Sequence, residues 1–236
     1  MVSIGSCVLA LCPRIALAID DSASRAEVDA AIKAGADIVE LRIDRFRDMT
    51  AAHVLEVFER YAGLPRIGTI RTRREGGGWD GTEEERLGLF TAIMPRIEAV
   101  DIELASNRIN RKVIELAASQ DKTIIGSFHD FEKTPALDIF QSLIDTAQDL
   151  GVTIIKFAAQ CAGPEDVRRM GGMLLNNADK PMIVLGMGSA GRISRFLFPA
   201  LGSLVTYTFL ETPSAPGQAS LEETLHLMNL LYERNK

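Results

Sequence analysis

Disulfide and zinc architectures are the first that this chain lacks the material to build. Its three cysteines, Cys7, Cys12 and Cys161, are odd in number and show no CxxC spacing. Neither a disulfide framework nor a metal site is expected, and a reducing, cytoplasmic setting follows. A surplus of positive charge is also missing. With 26 Lys and Arg against 32 Asp and Glu the formal charge is −6, which argues against a broad nucleic-acid footprint but leaves room for a local basic pocket. No apolar run reaches the length of a membrane span. The apolar opening VSIGSCVLALCPRIALAID has no basic flank, and Pro13 and Arg14 interrupt it. It reads as a short N-terminal strand followed by the first core strand, not as a signal peptide. Linkers rich in Pro or Ser are absent too, so residues 1–236 are expected to form a single domain, with 1–12 a short extension.

What the chain does contain is one theme repeated: a short apolar strand, a turn, then an amphipathic helix. The pattern predicts strands over 14–19, 37–43, 66–71, 99–104, 123–128, 152–158, 182–187 and 203–209. Helices fit over 24–34, 50–62, 82–95, 108–119, 136–149, 164–177, 189–200 and 220–234. Ser24, Thr50, Thr82 and Ser220 suit N-caps, and Gly35 and Gly151 suit C-caps. This alternation points to an α/β fold, a (β/α)8 TIM barrel, with a doubly wound open sheet as the rival.

Barrel chemistry belongs at the C-terminal ends of the strands. There the chain reads VELRID, TIRTRREGGG, VDIELAS, GSFHDFEK and IIKFAAQ, five successive strand ends with ionisable residues. Glu40 and Arg42 share a strand face, as do Asp101 and Glu103, because side chains two apart point the same way. Any one of these could be a strand-end ion pair; five together favour a shared pocket.

Lys156 sits inside the apolar run VTIIKFA. In an open sheet it would mark an edge or a buried ion pair, but a closed barrel has no edge. Apolar burial and nearby cations would lower its pKa below that of a free lysine. A neutral amine attacks a ketone or aldehyde and forms an iminium, which acidifies the adjacent C–H. Histidine is scarce, with only three residues, and His53 and His226 fall on helices, facing solvent. His129 closes the strand preceding that of Lys156 and is the acid–base candidate. The pair implies Schiff-base chemistry: aldol cleavage, decarboxylation or dehydration.

Two further segments bear on function. GMGSAG places Gly186, Gly188 and Gly191 in a G-x-G-x-x-G, with Glu211 twenty residues past Gly191, which is the pattern of a dinucleotide fingerprint. An NAD-dependent oxidoreductase is therefore one alternative, though it leaves the preceding strand-end charges without a role. The same loop in a barrel holds an anion through backbone N–H groups, and Arg195 supplies the charge. That reading admits a second alternative, a class I aldolase on a small phosphorylated sugar. The loop ETPSAPGQAS before the last helix is long enough to act as a lid.

With these residues assembled, the sequence resembles type I 3-dehydroquinate dehydratase, the Schiff-base lyase of the shikimate pathway of aromatic amino acid biosynthesis. The matching segments are ELRID, TIRTRREGG, GSFHDFEKTP, IIKFA, GMGSAGRISR and SAPGQ, in order from residue 40 to residue 218. The resemblance implies that Lys156 forms the imine with the ketone of 3-dehydroquinate and that His129 moves the proton, oriented by Glu75. It implies that Glu40, Arg42 and Arg71 hold the ring hydroxyls, and that Arg195, Ser214 and Gln218 grip the carboxylate. Met187 would pack near the imine. It also implies a (β/α)8 barrel with no metal or added cofactor, and a homodimer.

Overall fold

After a hairpin of β1 (Val2–Ile4) and β2 (Cys7–Leu9), the chain enters one all-parallel sheet. Its strands are β3 (Arg14–Ile19), β4 (Ile38–Arg42), β5 (Arg66–Thr69), β6 (Ala99–Glu103), β7 (Thr123–Asp130), β8 (Ile154–Gln160), β9 (Met182–Met187) and β10 (Val205–Phe209). The computed structural model describes residues 1–9, 12–213 and 215–234. Strand order runs β10-β3-β4-β5-β6-β7-β8-β9. The two ends meet where Met182 bridges Ser203 and the Leu204 N–H donates to the Met182 carbonyl at 2.9 Å. The sheet thereby closes into the expected barrel.

Helices α1 (Arg25–Ala34), α2 (Ala51–Arg60), α3 (Glu83–Ile93), α4 (Asn110–Ser119), α5 (Leu137–Leu150) and α6 (Pro164–Asn176) return the chain between strands. Local chemistry fixes their ends. Ser24, Thr82 and Ser220 form reciprocal capping boxes with Glu27, Glu85 and Glu223, and the Thr50 side chain accepts from the His53 N–H. Each satisfies backbone donors that the first helical turn leaves unpaired. The segment expected as one helix over 189–200 is instead α7 (Gly188–Gly191), α8 (Ser194–Leu197) and a 3-10 turn, Phe198–Leu201. Ser194 causes the break: its hydroxyl donates to the Gly191 carbonyl and accepts from the Gly186 N–H, tying the turn to the end of β9. The last helix is α9 (Leu221–Leu231).

Both faces of every strand are covered, which is why the strands read as nearly continuous apolar runs. Inside the barrel the layers change character with height. Ile38, Ile67, Ala99, Ile125, Ile154 and Val205 fill the lower end. Two residues further along the same faces come Glu40, Thr69, Asp101, Ser127, Lys156 and Tyr207, all buried. The period of two along a strand therefore places a polar layer directly above the apolar one.

Two expectations need correction here. The N-terminal segment is a two-stranded hairpin, not one strand, and its Ile4 and Leu9 pack into the lower apolar layer. It plugs the barrel floor, held by the Thr123 hydroxyl donating to the Ser3 carbonyl and by Arg14 Nε donating to the Val8 carbonyl. His53 does not face solvent freely: it is half-buried, with Nε2 3.0 Å from Asp21 Oδ2. His226 is exposed, as expected.

Candidate active site

The polar upper layer lines a cavity that opens at the C-terminal end of the barrel. Lys156 is on its floor, only 4% exposed. Lys156 Nζ donates to Asp101 Oδ2 at 2.8 Å, stands 3.5 Å from Glu40 Oε1, and lies 4.2 Å from the centre of the Tyr207 ring. Asp101 is held in turn by the Ser127 hydroxyl at 2.6 Å and by Arg71 Nη2 at 2.7 Å. Thr69 donates to Glu40 at 3.0 Å.

These partners reverse the expected direction of the Lys156 pKa. Burial does push it down, as anticipated, but the carboxylate of Asp101, then Tyr207 and Glu40, outweigh burial and the nearby Arg71, and the net shift is upward. Among these partners Lys156 is held as an ammonium ion. Asp101→Asn is expected to lower the pKa of Lys156, so that lysine-directed acylation of the folded protein reaches half its maximal rate at a lower pH than in the unmodified chain.

His129 sits one pleat above Lys156 on the neighbouring strand, since Ser127 pairs with Lys156 and His129 with Ala158. Its Nδ1 lies 2.9 Å from Glu75 Oε2, and the same oxygen accepts the His129 backbone N–H at 2.9 Å. Glu75 ends a 3-10 turn, Arg73–Glu75, which Gly76 terminates in the left-handed region. The turn folds back because Gly77 and Gly78 lie so close to the Arg71 and Asp44 carbonyls that a Cβ would sit 2.0 and 2.1 Å from them. Burial, with Arg71 and Lys156 adding to it, holds the imidazole well below its usual range. Burial, with Glu103 adding and Arg71 opposing, pushes the Glu75 carboxyl up to about 8. Both directions favour a neutral imidazole, which has a lone pair ready for a proton.

Basic residues complete the wall. Arg42 makes two bonds to Asp44, at 2.9 and 2.7 Å, and the Gly78 N–H donates to Asp44 at 3.0 Å, tying two loops together. Arg195, at the rim, is 2% exposed. Its Nη2 donates to the Pro216 carbonyl at 3.4 Å, and among the described residues its Nε has no hydrogen-bond partner and no carboxylate pairs with it. Burial and the nearby Arg192 lower its pKa to about 10, still well above neutrality. A buried guanidinium without a counter-ion is a site for an anion.

The last loop already reaches the cavity. The Gly188 N–H donates to the Pro216 carbonyl at 3.2 Å, so it is occupied by protein rather than open to a dinucleotide phosphate. Gly217 (φ +79°) is glycine because a Cβ would lie 2.5 Å from the Gly188 carbonyl. Gln218 lines the cavity and its Oε1 accepts the Ala215 N–H at 3.2 Å. Ser214 lies outside the described residues. Glu40, Arg42, Arg71, Glu75, His129 and Lys156 converge on this one space, joined by Met187, Arg195 and Gln218. Sequence reasoning missed Tyr207, which had no signal beyond its place on an inward face, and left Asp101 without a role although its spacing from Glu103 had put both inside.

The chain is similar to known proteins in both sequence and fold. A model of the type I 3-dehydroquinase family matches residues 15–235. The 3-dehydroquinate dehydratase of Methanococcoides burtonii is 34% identical over 235 residues, covering 98% of this chain and 100% of the relative. That of Aquifex aeolicus is 36% identical over 220 residues, covering 92% and 98%. The crystal structure of the Aquifex aeolicus VF5 enzyme superposes with a TM-score of 0.81 at 35% identity, covering 93% of this chain and 99% of that one.

Proposed function

The chain belongs to the type I 3-dehydroquinase family, which dehydrates 3-dehydroquinate in the shikimate pathway, and we propose that it does so through an imine on Lys156 with His129 as the acid–base group. The observation that carries this reading is a buried lysine at the floor of a polar cavity, with His129, whose imidazole burial holds well below its usual range, on the adjacent strand. The Lys156 ammonium first gives up a proton, and the neutral His129 in the same cavity is an acceptor. The free amine attacks the ketone carbon, and the carbinolamine hydroxyl leaves as water with the proton that His129 had taken, giving a protonated imine beside a His129 that is neutral again. That cation draws electrons from the neighbouring C–H bond. His129 Nε2 takes the proton, since Nδ1 is engaged by Glu75. The resulting enamine expels the β-hydroxyl as water using the proton His129 then returns, and hydrolysis frees Lys156.

The same reading extends to how the substrate is held. The carboxylate meets the uncompensated guanidinium of Arg195, with Gln218 and Ser214 supplied by the last loop. Glu40, Arg42 and Arg71 hold the ring hydroxyls, and Met187 packs beside the imine. Arg195→Gln is expected to raise KM by roughly 10- to 100-fold, the loss of a charge-assisted contact worth about 1.5–3 kcal/mol; steady-state kinetics with a smaller change in kcat than in KM would check it. The reading extends to a cytoplasmic homodimer. Cys7, Cys12 and Cys161 are free thiols, and Ile193 just before α8, Leu197 on α8 and Leu231 on the neighbouring α9 expose apolar surface. Light scattering that returned only the monomer mass would remove the dimer.

Borohydride added during turnover of 3-dehydroquinate tests the central step. Intact-mass and peptide analysis should find a product-derived adduct on Lys156. No adduct on Lys156 would overturn the imine.

A further inference from the structure

One charged side chain has no part in the reaction above yet is buried more completely than any in the cavity. Arg86, on α3, is 0% exposed and does not line the substrate cavity. Its Nη2 donates to Glu103 Oε2, and its Nη1 donates to Glu83 at 3.0 Å and to the Ser106 hydroxyl at 3.3 Å. Its Nε has no partner. As a structural element this is a poor choice, because a buried arginine with an unpaired N–H carries a desolvation cost that an apolar side chain of similar size would not. Its contribution must come from the charge it places on Glu103.

Glu103 joins Arg86 to the cavity. Its Oε2 takes Arg86 and, at 3.0 Å, the Ser106 hydroxyl. Its Oε1 takes the Thr72 N–H at 2.9 Å and stands 3.3 Å from Arg71 Nη1. Arg71 spends its short bonds elsewhere, at 2.7 Å on Ser127 and 2.7 Å on Asp101, and Asp101 is the counter-ion of Lys156. Around Asp101 the buried cations Lys156, Arg71, Arg42 and Arg86 face the buried anions Glu40, Asp101, Glu103 and Asp44. The signs balance while Glu75 is protonated. Without Arg86, Arg71 is the one cation left paired with Glu103 among the described residues, and Asp101 competes for the same guanidinium.

We propose that Arg86 is a positioning residue: by neutralising Glu103 it keeps Arg71 on Asp101 and keeps uncompensated negative charge away from His129. The proposal rests on the reading of His129 as the acid–base group. The charged groups facing His129 are Glu75 beside it, Arg71 in the loop after β5, Asp101 on β6, Lys156 on β8 and Arg42 on β4, and Glu103, further along β6, acts on Glu75. Glu40, Arg42, Tyr207 and Arg195 look into the same cavity. On the outer side, Arg74, Glu83 and Arg108 border the cleft behind it. Removing Arg86 adds net negative charge to this set, which favours the protonated imidazole and raises its pKa. Since the imidazole must be neutral to take a proton, activity should then fail at a higher pH than before.

The test compares the acid limb of kcat/KM in four variants, with the limb assigned to His129 by its absence from the residual activity of His129→Ala. Arg86→Met is expected to move the limb upward by on the order of one pH unit. Arg86→Lys should stay near the parent. In a Glu103→Gln background, Arg86→Met should move the limb clearly less than in the parent, because Arg71 then has no second carboxylate to draw it off Asp101. An unmoved limb in folded Arg86→Met, or an equal shift in both backgrounds, would overturn the proposal. If Arg86→Met does not fold, Glu103→Gln alone decides: it should move the limb downward, and an unmoved limb overturns the proposal. Failure of the imine reading would be seen separately, as a missing borohydride adduct in the parent protein.

Discussion

Lys156→Met is expected to lower kcat by on the order of 10^4-fold or more, as removal of a covalent nucleophile typically does. Methionine keeps the length of the side chain and its apolar stem, so the floor of the cavity stays filled. The fold should survive because Asp101 keeps two other partners, Arg71 at 2.7 Å and Ser127 at 2.6 Å. Substrate should still bind, since the groups assigned to its carboxylate and hydroxyls are untouched; equilibrium dialysis would show this. Lys156→Arg separates charge from nucleophilicity. It restores a cation beside Asp101 and Glu40 but offers no amine that can become neutral, since a guanidinium keeps its proton in proteins. It should be as inactive as Lys156→Met while melting closer to the parent. Neither variant should gain mass on borohydride treatment. Either one retaining activity within about tenfold would remove Lys156 from the mechanism.

The proton on Lys156 marks the boundary of what the sequence could tell. The apolar neighbours Ile154, Ile155 and Phe157 are visible along the chain, and they alone argue for a depressed pKa. The groups that win come from other strands: Asp101 from β6, Glu40 from β4 and Tyr207 from β10. Which strand end faces which is a matter of barrel closure and stagger, and no window of residues contains it. Local features fared better because their causes are local. Capping boxes sit within four residues, and the strand period of two put Glu40 with Arg42 and Asp101 with Glu103 correctly on the inner face. The pairing of Glu75 with His129 was accessible only through resemblance, because 54 residues separate the two. The hairpin was missed because its strands are three residues each, too short for periodicity, although the SIGS turn around Gly5 (φ +56°) was a signal. Arg86 was unreadable for a similar reason. In EEERLGLF it looks like one more charge on a solvated helix, and only the packing of α3 against the end of β6 buries it.

His129→Ala should separate the two halves of the reaction. Loss of a positioned acid–base group costs about 10^2- to 10^4-fold in kcat, yet the amine, its counter-ions and the cavity floor remain. Imine formation should therefore persist, more slowly because water must take the Lys156 proton in place of His129, and elimination should stall after it. The trapped species distinguishes these steps by mass. The parent protein, which proceeds through elimination, should yield an adduct that has lost the β-hydroxyl as water. His129→Ala should yield an adduct heavier by one water, because borohydride meets the imine before the C–H bond breaks. The pH profile gives an independent reading of the same group. Burial, Arg71 and Lys156 hold the His129 imidazole well below its usual 6.5, and only the neutral form accepts a proton. The acid limb of the parent should accordingly lie below the range of an ordinary histidine, leaving turnover level across neutrality. A limb at or above 6.5, or a His129→Ala adduct that has already lost water, would move the proton transfer to another side chain, and Glu75 would be the first to examine.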